Sequence, residues 1–167
     1  YYYVGGMPEA VQRYVDDGAL AEVRRIQREI LTGYERDFSK HAPADQLGRI
    51  RLVWRSIPSQ LFKDNKKFIY GALRKGARAK DFEIAIQWLI DAGLLLRVPR
   101  CTKPALPLAI YEDFSAFTLY LFDVGLLGAM AAIEPAQVLI SNRVFAEHNG
   151  GMTEDCVLQQ LTSRGLA

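Results

Sequence analysis

The stretch KDFEIAIQWLIDAGLLLRV, residues 80–98, predicts a helix that leads through a glycine turn into a strand. Glycine is common where a helix ends, so Gly93 marks the end of the helix, and the apolar run after it is typical of a strand. Before Gly93, apolar residues recur at the three- and four-residue steps of a helix, at Phe82, Ala85, Ile86, Leu89 and Ile90. We therefore expect a helix over residues 80–92 and a strand over residues 94–99.

The segments on either side of this stretch extend the pattern. Upstream, an amphipathic pattern predicts a helix over residues 46–62, a short helix follows over residues 68–73, and Gly76 turns the chain. Downstream, the proline-punctuated loop CTKPALPL precedes a second strand over residues 117–122. Helix, helix, turn, helix, strand, loop and strand is the order of a winged helix-turn-helix module. We therefore predict a mainly α fold with a small β wing, flanked by amphipathic helices.

The chain before this module is also predicted to be helical. In YYYVGGMPEAV, residues 1–11, Gly5 and Gly6 favour a sharp turn, and Pro8 suits the first turn of a helix. A longer amphipathic helix is predicted from about residue 17 to residue 40, before a break at Pro43. Its outward face is expected to carry Arg24, Arg25, Arg28, Glu29 and Arg36. We predict three segments: a helical segment at 1–43, the winged-helix module at 44–133, and the start of a further domain at 134–167.

Composition and charge exclude several classes of protein. The 167 residues are 50% hydrophobic, enough for one sizeable core, and the net charge of +2 gives no general attraction to nucleic acid or anionic membranes. The most apolar run, residues 117–133, is interrupted by Asp123 and predicts buried structure instead of a membrane span. Because the chain has only Cys101 and Cys156 and no secretory leader pattern, we expect a cytoplasmic protein with reduced thiols.

The sequence also lacks the motifs of catalysis and metal binding. The segment GALRKGARAK does not have the Gly-Lys-Ser/Thr ending of a phosphate-binding loop, because Gly76 is followed by Ala77. His41 and His148 have no metal-ligand spacing and are expected to be surface residues in loops. We therefore expect no enzyme activity, no bound cofactor and no metal site in this chain.

One segment, residues 63–80, has a strong local charge that suits nucleic acid. It contains a single acid, Asp64, and its charge of +6 can neutralise phosphates without reading bases. The basic residues are Lys63, Lys66, Lys67, Arg74, Lys75, Arg78 and Lys80. The helix that follows carries Asp81, Glu83 and Asp91 on its predicted polar face, and acids there repel phosphate. The sequence therefore gives equal weight to weak, non-specific DNA contact and to a charged face that is merely solvated.

Two other functions stay open at this point. A free-standing winged-helix DNA-binding regulator would use the helix at residues 80–92 to read bases, although the acids on that helix argue against such use. A protein–protein interaction scaffold is favoured by the same acids. Sequence-specific DNA binding would support the first function, and salt-insensitive binding to a protein partner would support the second.

Four blocks of the sequence together resemble a known family. They are YYYVGGMPEAVQRYV (1–15), LTGYERDFSKHA (31–42), FEIAIQWLIDAGLLLRV (82–98) and LYLFDVGLLGAM (119–130). In order and spacing they resemble the prokaryotic AAA-type P-loop ATPases that carry a C-terminal domain of unknown function. The resemblance implies an ATPase core, then a winged helix, then a restriction-endonuclease-like domain. This chain would be an internal, non-catalytic piece that links the two, with the rest of the parent polypeptide as its partner.

The same resemblance implies where the parent protein would bind its cofactors. The Walker motifs that hold ATP and Mg²⁺ would lie upstream of Tyr1. The segment NGGMTEDCVLQQL, residues 149–161, resembles the first helix of the nuclease-like domain, where Glu154 matches an acidic position. The other metal-binding residues of such a nuclease would lie beyond Ala167. From the residues alone, Glu154 is equally well explained as an acid in the first turn of a helix, favoured by the helix dipole.

Overall fold

The computed structural model describes residues 1–135 and 142–165, and for residues 142–149 the backbone alone. These residues are mainly helical and form six α-helices and one two-stranded antiparallel sheet. The helices are α1 (Pro8–Asp17), α2 (Leu20–His41), α3 (Leu47–Leu61), α4 (Ala79–Asp91), α5 (Val124–Met130) and α6 (Asn142–Ser163). The strands are β1 (Leu95–Cys101) and β2 (Glu112–Leu121), with single 3-10 turns at Tyr70–Ala72 and Leu108–Tyr111.

The predicted helices and strands are largely confirmed, with two differences. The predicted short helix at 68–73 is wrong, because only the 3-10 turn Tyr70–Ala72 forms there. The chain just before this turn is extended, and the Phe68 N–H donates to the Phe117 carbonyl at 2.8 Å. Strand β2 also begins earlier than predicted, because pairing resumes after a register shift between Pro99, opposite Phe117, and Arg100, opposite Asp113.

One hydrophobic core receives residues from most of the elements. The inner face of α3 and the predicted inner face of α4 pack around the aromatic side chains of Phe38 and Trp54, whose rings meet edge-on at 5.5 Å. Leu121 at the end of β2 and Met152 of α6 belong to the same core. The core therefore extends across residues 43 and 133, where we predict segment boundaries, and those boundaries stay predictions. Residues 136–141 and 166–167 of the predicted third segment lie outside the described residues.

Arg24 contradicts the predicted polar face of α2, because its side chain is buried with a residue exposure of only 1%. Its Nη1 donates to Gln27 Oε1 at 2.6 Å and to the Gly125 carbonyl at 3.0 Å, and its guanidinium lies over the Tyr3 ring at 4.1 Å. Burial lowers the pKa of this arginine. The prediction failed because α5 covers this part of α2, and the periodicity of one helix does not reveal that a second helix will cover it.

The N-terminal turn joins the core through Asp123, which is itself buried. The Gly6 N–H donates to Asp123 Oδ2 at 2.6 Å, and the Leu126 N–H at the start of α5 donates to Oδ1 at 2.8 Å. Gly5 has a φ of +72°, and a Cβ there would lie 2.4 Å from Asp123 Oδ1. The predicted turn at Gly5 and Gly6 therefore has a specific partner, located in the block LYLFDVGLLGAM.

The apolar run 117–133 is buried structure, as predicted. It forms the end of β2 and helix α5, in which the residues from Val124 to Ala129 are buried. Within residues 1–135 and 142–165, no helix combines the length and the apolar character needed to cross a bilayer.

The packing of α4 gives a direct stability test. Leu89 is fully buried on the inner face, whereas Ile84 on the opposite face is 61% exposed. Leu89→Ala should lower the free energy of unfolding by about 2–5 kcal/mol, because it leaves a cavity in the core. Ile84→Ala should change it by less than about 0.5 kcal/mol. Urea unfolding of both variants measures this, and equal losses would mean that the helix face is assigned wrongly.

Candidate nucleic-acid interface

The seven predicted basic residues lie in or next to the connection between α3 and α4, which we call the basic segment (residues 63–80). Six of them are exposed: Lys63, Lys67, Arg74, Lys75, Arg78 and Lys80. Lys66 is the exception, because its side chain is only 20% exposed and pairs with Glu154 of α6. Most of the basic segment is therefore open to an anionic partner, and one of its cations is bound within the protein.

A cleft of about 250 Å³ lies between the basic segment and the β1–β2 hairpin. We call it the hairpin cleft. Its polar lining comes from Asn65, Lys66 and Lys67 on one side and from Arg100 and Thr118 on the other. Val98, Pro99, Ala116 and Phe117 supply the rest of the lining. Two separate elements thus bring three cations to one cleft.

Arg100 is the member of this group that the sequence analysis missed. It lies far from the basic segment in the chain, and the hydrogen bond from the Phe68 N–H to the Phe117 carbonyl of β2 joins that segment to the hairpin that carries Arg100. The only signal in the sequence is that Arg100 lies in the hairpin that follows the helix at 80–92. The predicted winged-helix order therefore includes the hairpin that carries Arg100. It does not specify the strand register that places Arg100 beside the basic segment.

One carboxylate beside the cleft belongs to Asp113. Arg100 Nη2 donates to Asp113 Oδ2 at 3.0 Å, and the side chain and backbone N–H of Ser115 both donate to Oδ1. The Ser115 hydrogen bonds lower the pKa of Asp113, and the charges of Arg100 and Lys67 lower it further. Lys67 therefore lies close enough to Arg100 for both to act on one carboxylate.

Glu154 lies well inside α6, so the alternative that it is an acid in the first turn of a helix is wrong. Lys66 Nζ donates to Glu154 Oε1 at 2.5 Å, and the Tyr120 hydroxyl donates to Oε2 at 2.9 Å. Burial and the neighbouring Glu154 carboxylate raise the pKa of Tyr120. Among the residues that the structure describes, no group of three or more His, Cys, Asp or Glu residues is arranged to hold a metal ion. Glu154 therefore has a clear structural role as a link between α6, the basic segment and β2.

The three acids predicted on the polar face of α4 do not form one uniform solvated face. Asp81 accepts the Arg78 N–H at 2.9 Å at the start of the helix. Glu83 accepts the Tyr70 hydroxyl and forms an ion pair with Arg97 at 3.0 Å, so it serves the packing of the 3-10 turn and β1. Asp91 alone stays on the exposed face, where it accepts a hydrogen bond from Gln87 at 2.7 Å.

The open face of α4 is consequently less acidic than predicted. Its exposed residues are Lys80, Ile84, Gln87 and Asp91. Their charges cancel, and their largest apolar surface is Ile84. This face neither attracts nor strongly repels a phosphate backbone.

The prediction that His41 and His148 lie in loops is wrong, because both lie in helices. His41 is exposed, but it is the last residue of α2 and does not lie in a loop. His148 lies within α6, and its side chain is outside the described part of the structure. Cys101 in β1 is exposed, Cys156 in α6 is partly buried, and both thiols are free, as expected.

The contacts of α6 with the rest of the protein are polar as well as apolar. Asp155 is fully buried, and its Oδ1 accepts the Leu121 N–H of β2 at 2.8 Å. Its Oδ2 has no hydrogen-bond partner among the described residues. Burial raises the pKa of Asp155 to about 8, the Leu121 N–H opposes this rise, and the charge of Asp123 adds to it. The raised pKa favours the neutral, protonated form of Asp155 in the folded protein near pH 7.

Comparison with known proteins gives one match. A family model described as a domain of unknown function (DUF8612) matches residues 1–137, which include every element from α1 to α5. Helix α6 lies outside the matched residues. No curated protein and no solved structure matches this chain.

Asp155 should make the stability of the protein depend on pH. Its pKa is about 3.9 in an unfolded chain, and folding raises it to about 8. Between these values the folded state binds more protons than the unfolded state. The free energy of unfolding should therefore fall as pH rises from about 4 to about 8, by at most about 1.4 kcal/mol per pH unit.

Asp155→Asn should remove this contribution, because the amide keeps an acceptor for the Leu121 N–H and does not titrate. Urea unfolding over a pH series measures the slope for the wild type and the variant. Asp91→Asn, on the exposed face of α4, is the matched control and should keep the wild-type slope. An unchanged slope in Asp155→Asn would contradict the assignment.

Proposed function

We propose that this chain, which belongs to the DUF8612 family, is a winged-helix module. The module would contact nucleic-acid phosphates weakly and without sequence preference. The observation that carries the proposal is the hairpin cleft, where Lys67 of the basic segment and Arg100 of β1 lie together. Phosphate contacts from Lys and Arg fix a protein on nucleic acid and carry no sequence information.

The order and pairing of the elements support the winged-helix assignment. Helix α3, the Tyr70–Ala72 turn, α4, β1 and β2 follow in the order of that module. The Phe68 N–H donates to the Phe117 carbonyl, and this backbone hydrogen bond joins the chain before the turn to β2. In this assignment α4 is the recognition helix and the β1–β2 hairpin is the wing.

The distribution of charge favours backbone contact over base reading. The exposed cations lie before α4 and on the hairpin, whereas the open face of α4 offers Lys80, Gln87 and Asp91 around Ile84. A helix that reads bases needs several donors or acceptors aimed at base edges. We therefore expect dissociation constants on the order of 10⁻⁴ to 10⁻⁶ M that weaken steeply with salt.

A protein–protein interaction scaffold is the second candidate, and a specific observation favours it. Besides Ile84 on α4, the hairpin exposes large apolar side chains at Leu106, Ile110 and Phe114. Exposed apolar residues of this size on neighbouring elements are typical of protein-binding surfaces. Binding to a protein that persists in high salt, without DNA binding, would favour this candidate over the first.

The resemblance to AAA-type ATPases supports a wider proposal about the parent protein. In that arrangement ATP and Mg²⁺ bind to Walker motifs in an upstream ATPase core, and a nuclease-like domain follows. The present chain would couple the two domains without catalytic groups of its own. Its expected partners are nucleic acid and the rest of the parent polypeptide, with a cytoplasmic location and no membrane contact.

Removing exposed cations from the basic segment should abolish most DNA binding. In the triple variant Arg74→Ala, Lys75→Ala and Arg78→Ala, affinity for a random-sequence duplex should fall by at least about tenfold at low salt, because three phosphate contacts are lost. The slope of log affinity against log salt should become shallower by about 3. A fluorescence-anisotropy titration over a salt series measures both quantities.

The matched control removes the same charge from α2. Arg25→Ala, Arg36→Ala and Lys40→Ala are exposed changes outside the basic segment and should lower the affinity only slightly. Equal losses in the two triple variants would mean that net charge alone drives binding. Nanomolar affinity for one selected duplex would instead support the sequence-specific regulator.

The isolated chain should hydrolyse no ATP and cleave no DNA. The sequence lacks a phosphate-binding loop, and Glu154 is engaged by Lys66 and Tyr120. Phosphate release and plasmid cleavage assays with Mg²⁺ test this expectation. Metal-dependent turnover by the pure chain that disappears in Glu154→Gln would contradict it.

A further inference from the structure

Lys66 takes part in two arrangements at once. Its side chain lines the hairpin cleft beside Lys67 and Arg100, and its Nζ donates to Glu154 Oε1 at 2.5 Å. Glu154 lies on α6, and none of the side chains that the structure describes on this helix lines the cleft. One cation is therefore shared between a cleft suited to an anion and a carboxylate on another helix.

The side chain of Lys66 is closely approached by α6. Its side chain is mostly buried, and a Cβ added at Gly150 of α6 would lie 3.1 Å from Lys66 Nζ. Helix α6 also approaches the end of α3 closely, since a Cβ at Gly151 would lie 2.7 Å from the Leu61 carbonyl oxygen. Helix α6 therefore lies directly against Lys66 and the end of α3.

We propose that the hairpin cleft is a phosphate subsite for the nucleic-acid backbone, and that Glu154 of α6 competes with the bound phosphate for Lys66. This proposal rests on the nucleic-acid contact proposed above and adds a specific site and a control on it. With α6 docked, the Glu154 carboxylate neutralises Lys66 while Asp113 neutralises Arg100, and the pairing of Lys66 lowers the attraction of the cleft for phosphate. A phosphate in the cleft draws the Lys66 ammonium away from Glu154 and weakens the docking of α6.

The two effects are linked by thermodynamics. If α6 docking lowers the affinity for DNA by a given factor, DNA binding lowers the stability of the docked state by the same factor. Coupling between sites typically changes affinity by about 5- to 150-fold. The change in affinity caused by a single shared cation at a partly exposed site should lie near the lower end of that range, at about fivefold.

The first test removes the competing charge. Glu154→Gln keeps an oxygen that accepts the Tyr120 hydroxyl and deletes the negative charge next to Lys66. Its affinity for a random-sequence duplex should be about fivefold higher than that of the wild type, measured by fluorescence anisotropy at low salt. Glu35→Gln is the matched control, because Glu35 forms a comparable ion pair with Arg55 between α2 and α3. It should leave the affinity nearly unchanged.

A double-mutant cycle identifies Lys66 as the shared group. In a Lys66→Gln background, Glu154→Gln should no longer raise the affinity, because the cation for which it competes is absent. A gain that survives in this background would come from the general change in net charge, and it would overturn the proposed competition.

The second test needs no change in the Lys66–Glu154 pair. Cys156 lies on α6 and is partly buried, so its reaction with a thiol reagent reports the undocking of α6. In a Cys101→Ser background, saturating DNA duplex should raise the reaction rate of Cys156 by about fivefold, by the reciprocity of linkage. An unchanged rate with bound DNA would overturn the proposal.

The outcomes separate this proposal from the one on which it rests. If the wild type binds DNA and Glu154→Gln behaves like Glu35→Gln, the competition is wrong and the nucleic-acid contact stands. If neither the wild type nor Glu154→Gln binds DNA at low salt, the nucleic-acid function itself is wrong, and the phosphate subsite with it.

Discussion

The structure depends most on the buried carboxylate of Asp123. This one side chain accepts the N–H of Gly6 in the N-terminal turn, the N–H of Leu126 at the start of α5, and the side-chain amide of Gln159 in α6. A buried carboxylate is costly unless it accepts several hydrogen bonds, and these three come from parts of the chain that are distant in sequence. The N-terminal turn, α5 and α6 are therefore all joined to the same two oxygens. These hydrogen bonds hold the three elements together at one end of the hydrophobic core.

The arrangement around Asp123 also gives a physical meaning to two of the blocks on which the family resemblance rests. Gly5 and Asp123 approach so closely that any side chain at position 5 would collide with the carboxylate. Gly125 plays the corresponding part in α5, where a Cβ would lie 2.6 Å from the Val4 carbonyl oxygen and from Gln27 Nε2. Gly5 of the N-terminal turn and Gly125 of LYLFDVGLLGAM are thus both required where these two segments meet.

Much of the fold follows from the sequence, and the exceptions share one cause. The helical repeats in α2, α3 and α4 are local, so the bounds and most of the buried faces of these helices are predictable. Arg24, Glu83, Arg100 and Glu154 were misread or missed because each is defined by a neighbour from another element. Arg24 is covered by α5, Glu83 holds Tyr70 and Arg97, Arg100 meets Lys67, and Glu154 holds Lys66. Long-range pairing of this kind leaves no periodic signal in a single sequence.

The register shift in the β1–β2 hairpin affects how molecules of this protein behave at high concentration. A two-stranded sheet has unpaired edges, and a flat edge invites another chain to add a strand, which leads to aggregation. Here Pro99 removes one backbone donor from β1, and the shift directly after it interrupts the regular ladder. On β2, the Phe117 carbonyl already accepts the Phe68 N–H. The hairpin is therefore a poor template for strand addition, and this protects the molecule from edge-to-edge polymerisation even though the hairpin exposes large apolar side chains.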